Sequence, residues 1–548
     1  MRCYYLLPQI VMKLKGLSNR LYNITFHTHT VSGIVISFAL YVIFFAGAFT
    51  LFKEEFYQWE NPQARKPITE KIDYDELLAT IKKNKPSFDL SEDITIRIPS
   101  KEEPRVQIYG HEIVPKGKPE IHYAATYFPI TKTFSEEEKT TIGETLYRLH
   151  FFDQIPFIGR YLSGFVALFF AFAVVTGVMI HWRNIFSKFN GFSIKGTWKQ
   201  IWTNSHTVFG LLGLPFQFMY AITGAYYMLS LLVLLPVVIV FYNGDQEKAL
   251  KAIVAERAMD TNENSPLATK NQKITNILDN LKKSRPDVEL HYVQIKNYNR
   301  VDGMMAAAVE NSKTFAGDGS ATFSLKDGKM VANYLPGSKT YAQSVLYGIT
   351  RLHYATFGGL ILKAIYFLLA LFTGFVIISG ILLWKEARNK KTYTDKQKRF
   401  HHQVTKTYLA ICFGLFPAVA ILFSAELSVP DSVKHVFWVR TAFFVSWLIF
   451  TIAGLFSKNE AKATQLYLFL GGLFSIIVPL INGFVTGDWI WVSLAKNSFY
   501  VAGTDLFWLI IGVLSLFLTL LMNKDNEKTN SKKEILKVKK QHISLEKM

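Results

Sequence analysis

The sequence RLHFFDQIPFIGR occupies residues 148–160, and RLHYATFGGLILK occupies residues 351–363. Each begins Arg-Leu-His and carries a basic residue ten positions after the histidine, Arg160 in one and Lys363 in the other. Each runs into a long apolar segment closed by an aromatic residue and a cation. The spacing repeats as well: His150 to Gly177 is 27 residues, and His353 to Gly380 is 27 residues. The segment ends are alike, TGVMIHW at 176–182 and SGILLWK at 379–385. A second pair behaves the same way. HTVSG at 29–33 matches HTVFG at 206–210, and Gly47 and Gly224 both lie 18 residues beyond their histidines. Two gap-free spacings of this kind predict an internal duplication, with residues 20–185 repeated as 200–386.

The apolar segments set the class. The chain has 548 residues, 50% hydrophobic and 15% aromatic, with a positive mean hydropathy. At the length needed to cross about 30 Å of hydrocarbon, eight runs qualify: 31–52, 160–182, 206–241, 359–384, 404–425, 436–457, 464–487 and 503–522. The third allows a tilted helix plus an extension. The first is too long for a cleavable signal, and no small-residue cleavage site follows it. The expected fold is a polytopic α-helical membrane protein of about eight transmembrane helices.

Net charge is +19, and its distribution argues for topology rather than nucleic-acid binding. Basic residues crowd the start (Lys13, Lys15, Arg20), the 183–199 loop, the 385–399 loop and the tail after Leu521. These are alternate loops, so the positive-inside rule puts both termini in the cytoplasm. Two cysteines, Cys3 and Cys412, exclude a disulfide framework.

Two long segments remain on the opposite side, 53–149 and 242–352. DYDELLATIKKNKP reads as an amphipathic helix, with EDITIRIP and RVQIYGHEIV as strands. QKITNILDNLKKSRP repeats the helix, followed by VELHYVQIKN, MMAAAVE and SATFSLKDGKMVANYLPG as strands. Each segment is expected to form an α+β domain. The full division is transmembrane helices at 20–52, 150–185, 200–241 and 353–386, domains at 53–149 and 242–352, four further helices within 401–522 and a basic tail at 523–548.

Two copies with the same orientation are related by an axis along the membrane normal. That axis would pair His29 with His206 near the cytoplasmic face, where they begin outward-going helices, and His150 with His353 near the outer face. Two imidazoles converging from opposite sides suit a planar cofactor whose metal takes two axial ligands, and haem iron is the candidate. Gly33 and Gly210 lie one turn past their histidines, where a missing side chain lets a flat macrocycle lie against the backbone. Arg148 and Arg351 are placed either to pair with propionates or to act as ordinary interfacial anchors. His181 and His402 are reserve ligands for the inner site. His111, His122 and His291 read as surface or sheet residues, and neither outer segment displays a metal cluster or aromatic cage. CxxC, HExxH, P-loop and dinucleotide patterns are absent from the sequence.

The HTVSG and HTVFG starts, the two RLH segments and the TG and SG ends, with a domain inside each half, resemble the PepSY-associated transmembrane proteins, also called iron-regulated membrane proteins. Some of these are ferric-siderophore reductases. The resemblance covers about residues 20–390. It implies PepSY-type domains at 53–149 and 242–352. It also implies two haems b ligated by His29, His206, His150 and His353, in a multi-pass protein of the bacterial inner membrane with periplasmic domains. Electrons from a cytoplasmic reductase or membrane quinol would reach a ferric siderophore or other iron chelate. The four segments after residue 400 depart from compact family members and could bind lipid, quinol or a partner, or simply widen the bundle. The alternatives are a non-redox PepSY protein acting as a sensor or as a peptide- or protein-binding regulator, and a transporter.

Overall fold

In the structure, a computed structural model, residues 16–545 are described except for 66–67, 69–70, 116, 118, 129–132, 136–139, 190–191, 194, 247, 250–258, 263, 312, 431, 433 and 458. Cys3, Lys13 and Lys15 lie outside the described residues. The helices up to the middle of the chain are α1 (Asn19–Thr50), α2 (Lys53–Glu60), α3 (Tyr74–Asn84), α4 (Ile142–His150), α5 (Ile158–His181), α6 (Ile185–Lys188), α7 (Trp198–Leu212) and α8 (Leu214–Tyr242). They are followed by α9 (Ile274–Ser284), α10 (Tyr341–Tyr354), α11 (Gly359–Ala387), α12 (Asp395–Ser428), α13 (His435–Leu455), α14 (Glu460–Thr486), α15 (Ile490–Ala495) and α16 (Phe499–Leu545). Helix α16 continues past the last apolar run into the segment read as a basic tail.

Seven described helices are long and apolar enough to cross a membrane, and an eighth crossing exists only as a bent pair. The apolar run at 206–241 is not one straight helix. Helices α7 and α8 meet at Gly213 with a bend of 70°. Pro215 explains the break: its ring is pre-set for the first turn of α8 and it has no N–H to continue the ladder of α7.

The chain divides into two compact units. The first comprises residues up to Leu51, Tyr147–Asn243 and Ile349–Thr405. In it α1 packs on α5 and α11, α5 packs on α8, and α7 packs on α11. The outer face of α5 exposes Tyr161, Phe165, Leu168, Phe172 and Val175 at helical spacing, and α11 exposes Ile361, Ile365, Leu368 and Phe372. Apolar stripes of this size on the outside of a bundle suit lipid rather than water.

The second unit comprises Phe52–Leu146, Gly244–Gly348 and the chain from Lys406 onward. Its strands are β1 (Ile94–Arg97), β2 (Val106–Glu112), β3 (Ile121–Phe128), β4 (Thr133–Ser135), β5 (Glu289–Lys296), β6 (Met304–Glu310), β7 (Asp318–Ser324) and β8 (Met330–Tyr334). The two α+β segments do not close separately. They join edge to edge through β1 and β5, from Ile94↔Ile295 to Arg97↔Tyr292, giving one antiparallel sheet in the order β4-β3-β2-β1-β5-β6-β7-β8. Edge pairing of this kind removes two exposed strand edges at once. A single core follows, with Leu78 and Ile81 of α3 and Ile277 and Leu281 of α9 packed with Ile96, Ile108, Val293 and Ile295. The N-cap of helix α9 is Lys273, which supplies no side-chain hydrogen bond. The carboxylate of Asp75, in the first turn of α3, accepts instead from the backbone N–H groups of Ile274 and Thr275 at 3.0 and 3.1 Å.

Within the same unit a buried polar network ties α2 and the segment after it to the C-terminal helices. Trp59 donates its indole N–H to Asp505 at 2.8 Å, and Asn482 donates to the other oxygen of Asp505 at 2.7 Å. Arg65 uses all five of its N–H groups, on Gln58 O, Trp59 O, Thr486 Oγ1, Asn482 Oδ1 and Asp488 Oδ2.

Candidate functional site

Four histidines converge in two pairs within the first unit. His29 lies in the third turn of α1, because Ser18 caps that helix well before the apolar run begins. It is therefore inside a helix rather than at its mouth. His206 sits on α7, before the break at Gly213. The two rings face each other at a centroid distance of 6.2 Å. Each imidazole is fixed through Nδ1. His29 bonds to Ala173 O at 2.9 Å and Thr176 Oγ1 at 3.2 Å, and His206 bonds to Val376 O at 2.9 Å and Ser379 Oγ at 3.5 Å. Ala173 and Val376 each lie 23 residues beyond the RLH histidine of their own half.

The other pair comes from the short helices that precede α5 and α11. His150 ends α4 and His353 falls in the last turn of α10. Two residues past each histidine the backbone turns left-handed, at Phe152 (φ 58°) and Ala355 (φ 54°), and this reverses the chain toward the following helix. The rings lie 6.0 Å apart. Nδ1 of His150 bonds to Ile43 O at 2.8 Å, and Nδ1 of His353 bonds to Thr223 Oγ1 at 2.8 Å. Tyr220 and Tyr227 pack on His353 at 5.0 and 5.1 Å.

In each of the four rings Nδ1 is engaged, while Nε2 has no hydrogen-bond partner among the described residues. A neutral imidazole whose Nδ1–H is held by an oxygen presents a lone pair at Nε2, which is the tautomer a metal requires. The levels of the two pairs are well separated. His29 and Ile43 are fourteen residues apart on α1, about 21 Å at the helical rise.

The accessory residues divide. A Cβ at Gly33 would meet nothing within 4 Å, and one at Gly210 only Val376 at 3.9 Å, so both leave space along the face of their histidine. Gly177 and Gly380 pack against His29 and His206 themselves, with a Cβ only 3.2 and 3.1 Å from Cε1. The two arginines are not equivalent. Arg351 is fully buried, whereas Arg148 is largely exposed and pairs with Asp153 at 3.9 Å. His181 places Nε2 at 3.4 Å from Thr207 Oγ1, so that nitrogen already has a partner. His402 is half-buried, and its neighbour His401 stacks edge-on against Trp384 at 5.1 Å.

One cluster was not expected from the sequence, where the outer segments display no metal set. His111 and His122 are direct cross-strand partners on β2 and β3, with ring centroids 4.8 Å apart. Glu120 lies beside them, with Oε2 3.8 Å from His111 Nε2. No spacing rule brings residues 111 and 122 together, since their pairing depends on hairpin register. His291 pairs separately with Glu310 at 2.7 Å.

No curated protein matches the chain. Residues 26–387, which contain both histidine pairs and the eight-stranded sheet, match the family described as the PepSY-associated TM region. The chain is therefore a multi-pass membrane protein that belongs to the PepSY-associated transmembrane family.

Proposed function

We propose that the protein binds two haems b, one between His29 and His206 and one between His150 and His353. In this reading it passes electrons from the cytoplasmic side of a bacterial inner membrane to a periplasmic acceptor, a ferric siderophore whose iron is reduced and released. The carrying observation is the state of the four rings: paired, half-buried and held through Nδ1, with Nε2 left over. Two imidazole–metal bonds of about 2 Å, with roughly 1 Å from nitrogen to ring centre, put ring centres about 6 Å apart. The separations of 6.2 and 6.0 Å agree with that span.

Haem iron with two imidazole ligands supplies a one-electron couple and has no open position for oxygen. The chain's own residues set the conditions for it. Ala173, Thr176, Val376, Ile43 and Thr223 fix ring orientation and tautomer. Gly33 and Gly210 leave a flat cradle beside the inner pair. The matched offsets of Ala173 and Val376 from His150 and His353 support an internal duplication of 20–185 as 200–386. Both termini are cytoplasmic in this reading. A membrane quinol or cytoplasmic reductase is the donor, and the sheet formed by 53–149 and 242–352 meets the acceptor.

The experiment is reduction across a bilayer. Proteoliposomes carrying the protein and loaded with dithionite should reduce an external ferric hydroxamate siderophore, trapped as the ferrous ferrozine complex. Vesicles carrying His150→Ala should not. Equal reduction by protein-free vesicles would remove the proposal.

A further inference from the structure

We propose that His111, Glu120 and His122 form a binding site for a first-row divalent transition-metal ion on the sheet of the second unit. His111 stands directly opposite His122 in the antiparallel β2–β3 pair, so both side chains leave the same face. Glu120 lies just before β3, two residues before His122, and its carboxylate sits beside the two imidazoles. The neighbouring pair, Gly110 and Tyr123, points the other way, and Tyr123 joins the core with α3 and α9. The three residues thus lie on the side of the sheet away from its helices.

Their donor atoms fit one ion. One ligand atom from each residue can be chosen so that all three lie within 4.8 Å of one another. Ligands at about 2.0–2.2 Å from a tetrahedral metal lie about 3.3 Å apart, so small rotations bring them to bonding distance. Glu120 is free to make that movement, with a side chain 76% exposed. The strands already hold the two histidines in place. His111 contributes a second observation: its Nδ1 is buried and has no hydrogen-bond partner among the described residues. The nearby carboxylate therefore does not use up its polar capacity.

The donor set selects the class of ion. Two imidazoles and one carboxylate favour Fe²⁺ through Zn²⁺ and disfavour Mg²⁺ and Ca²⁺, which take oxygen ligands. Three protein ligands leave coordination positions open, the pattern of a site that exchanges its ion or carries water rather than a closed structural one. His291, paired with Glu310 at 2.7 Å on the same sheet, supplies an internal contrast. The site is independent of the four histidines of the first unit and does not rest on the haem reading.

The test uses the untagged full-length protein in detergent, with Zn²⁺ as probe, in equilibrium dialysis followed by metal analysis. Wild type should bind one more Zn²⁺ per chain than His111→Ala or His122→Ala, and excess Mg²⁺ should not displace it. Loss of an outer-shell partner costs about 10–100-fold in affinity elsewhere, and loss of a ligand here should cost at least that. Glu120→Gln, at an exposed position that does not threaten folding, should weaken binding with the visible spectrum of the protein unchanged. His291→Ala should bind as wild type does. Identical Zn²⁺ stoichiometry and affinity in wild type, His122→Ala and Glu120→Gln would overturn the assignment, as would equal competition by Mg²⁺.

Discussion

Thr223 and His353 are joined through Oγ1 and Nδ1 at 2.8 Å, and the same hydroxyl donates to Met219 O at 2.9 Å. The single hydroxyl proton is thereby committed to the carbonyl, so Thr223 accepts from His353 and the proton of that imidazole sits on Nδ1. Thr223→Val removes the acceptor and leaves a buried N–H unsatisfied. A less basic ligand donates less to an iron, so redox titration should show one of two midpoints rising while the other stays. Haem affinity at that site should fall about 10–100-fold. Two unchanged midpoints would contradict the role given to Thr223.

Gly47 and Gly224 occupy matching positions in sequence but not in space. A Cβ at Gly47 would lie 2.6 Å from His150 Nδ1, whereas one at Gly224 meets Ala167 at an ordinary 3.4 Å. His150 cannot retreat without breaking its bond to Ile43 O. Gly47→Ala should cost about 1–3 kcal/mol and disturb the absorption of one centre. Gly224→Ala should do neither, and thermal melts with visible spectra of both variants check the contrast.

Arg65→Lys tests the polar network of the second unit. Lysine offers three donors on a flexible stem where arginine places five in a plane. At least two of Gln58 O, Trp59 O, Thr486, Asn482 and Asp488 lose their partner. A loss of about 2–4 kcal/mol is expected, since each buried group left unpaired costs about 1–3 kcal/mol. A melting temperature equal to wild type would show that the network does not hold these elements together.

Glu60 gives the fold a pH dependence. Burial pushes its carboxyl up to about 8, the charge of Glu426 adds to this, and the N–H groups of Gly143 and Thr141 and the charge of Arg105 oppose it. The folded value lies above the unfolded one, so between them the native state holds more protons and stability falls as pH rises. The melting-temperature difference of wild type over Glu60→Gln should therefore shrink as pH rises from about pH 5 to about pH 8. A difference that grows with pH would contradict the assignment.

Local patterns carried most of the helical architecture into view. Seven of the apolar runs and the amphipathic helices at 73–86 and 272–286 correspond to elements of the structure. What escaped was non-local or turned on one residue. The break before Pro215 lay inside an uninterrupted apolar run, where hydropathy is blind to a missing N–H. The pairing of β1 with β5 joins strands nearly two hundred residues apart and leaves no periodic trace. His111 and His122 meet through hairpin register, which alternation alone does not fix. The Nδ1 partners that distinguish the four paired histidines are mostly backbone carbonyls, invisible in any residue pattern.

The pyridine haemochrome of the purified protein counts its haem. Haem b should be present at two per chain, falling to one in His353→Ala and in His206→Ala, and to none in the double variant. A preparation from haem-replete cells without reducible haem, or a haem content unchanged in the double variant, would contradict the haem reading.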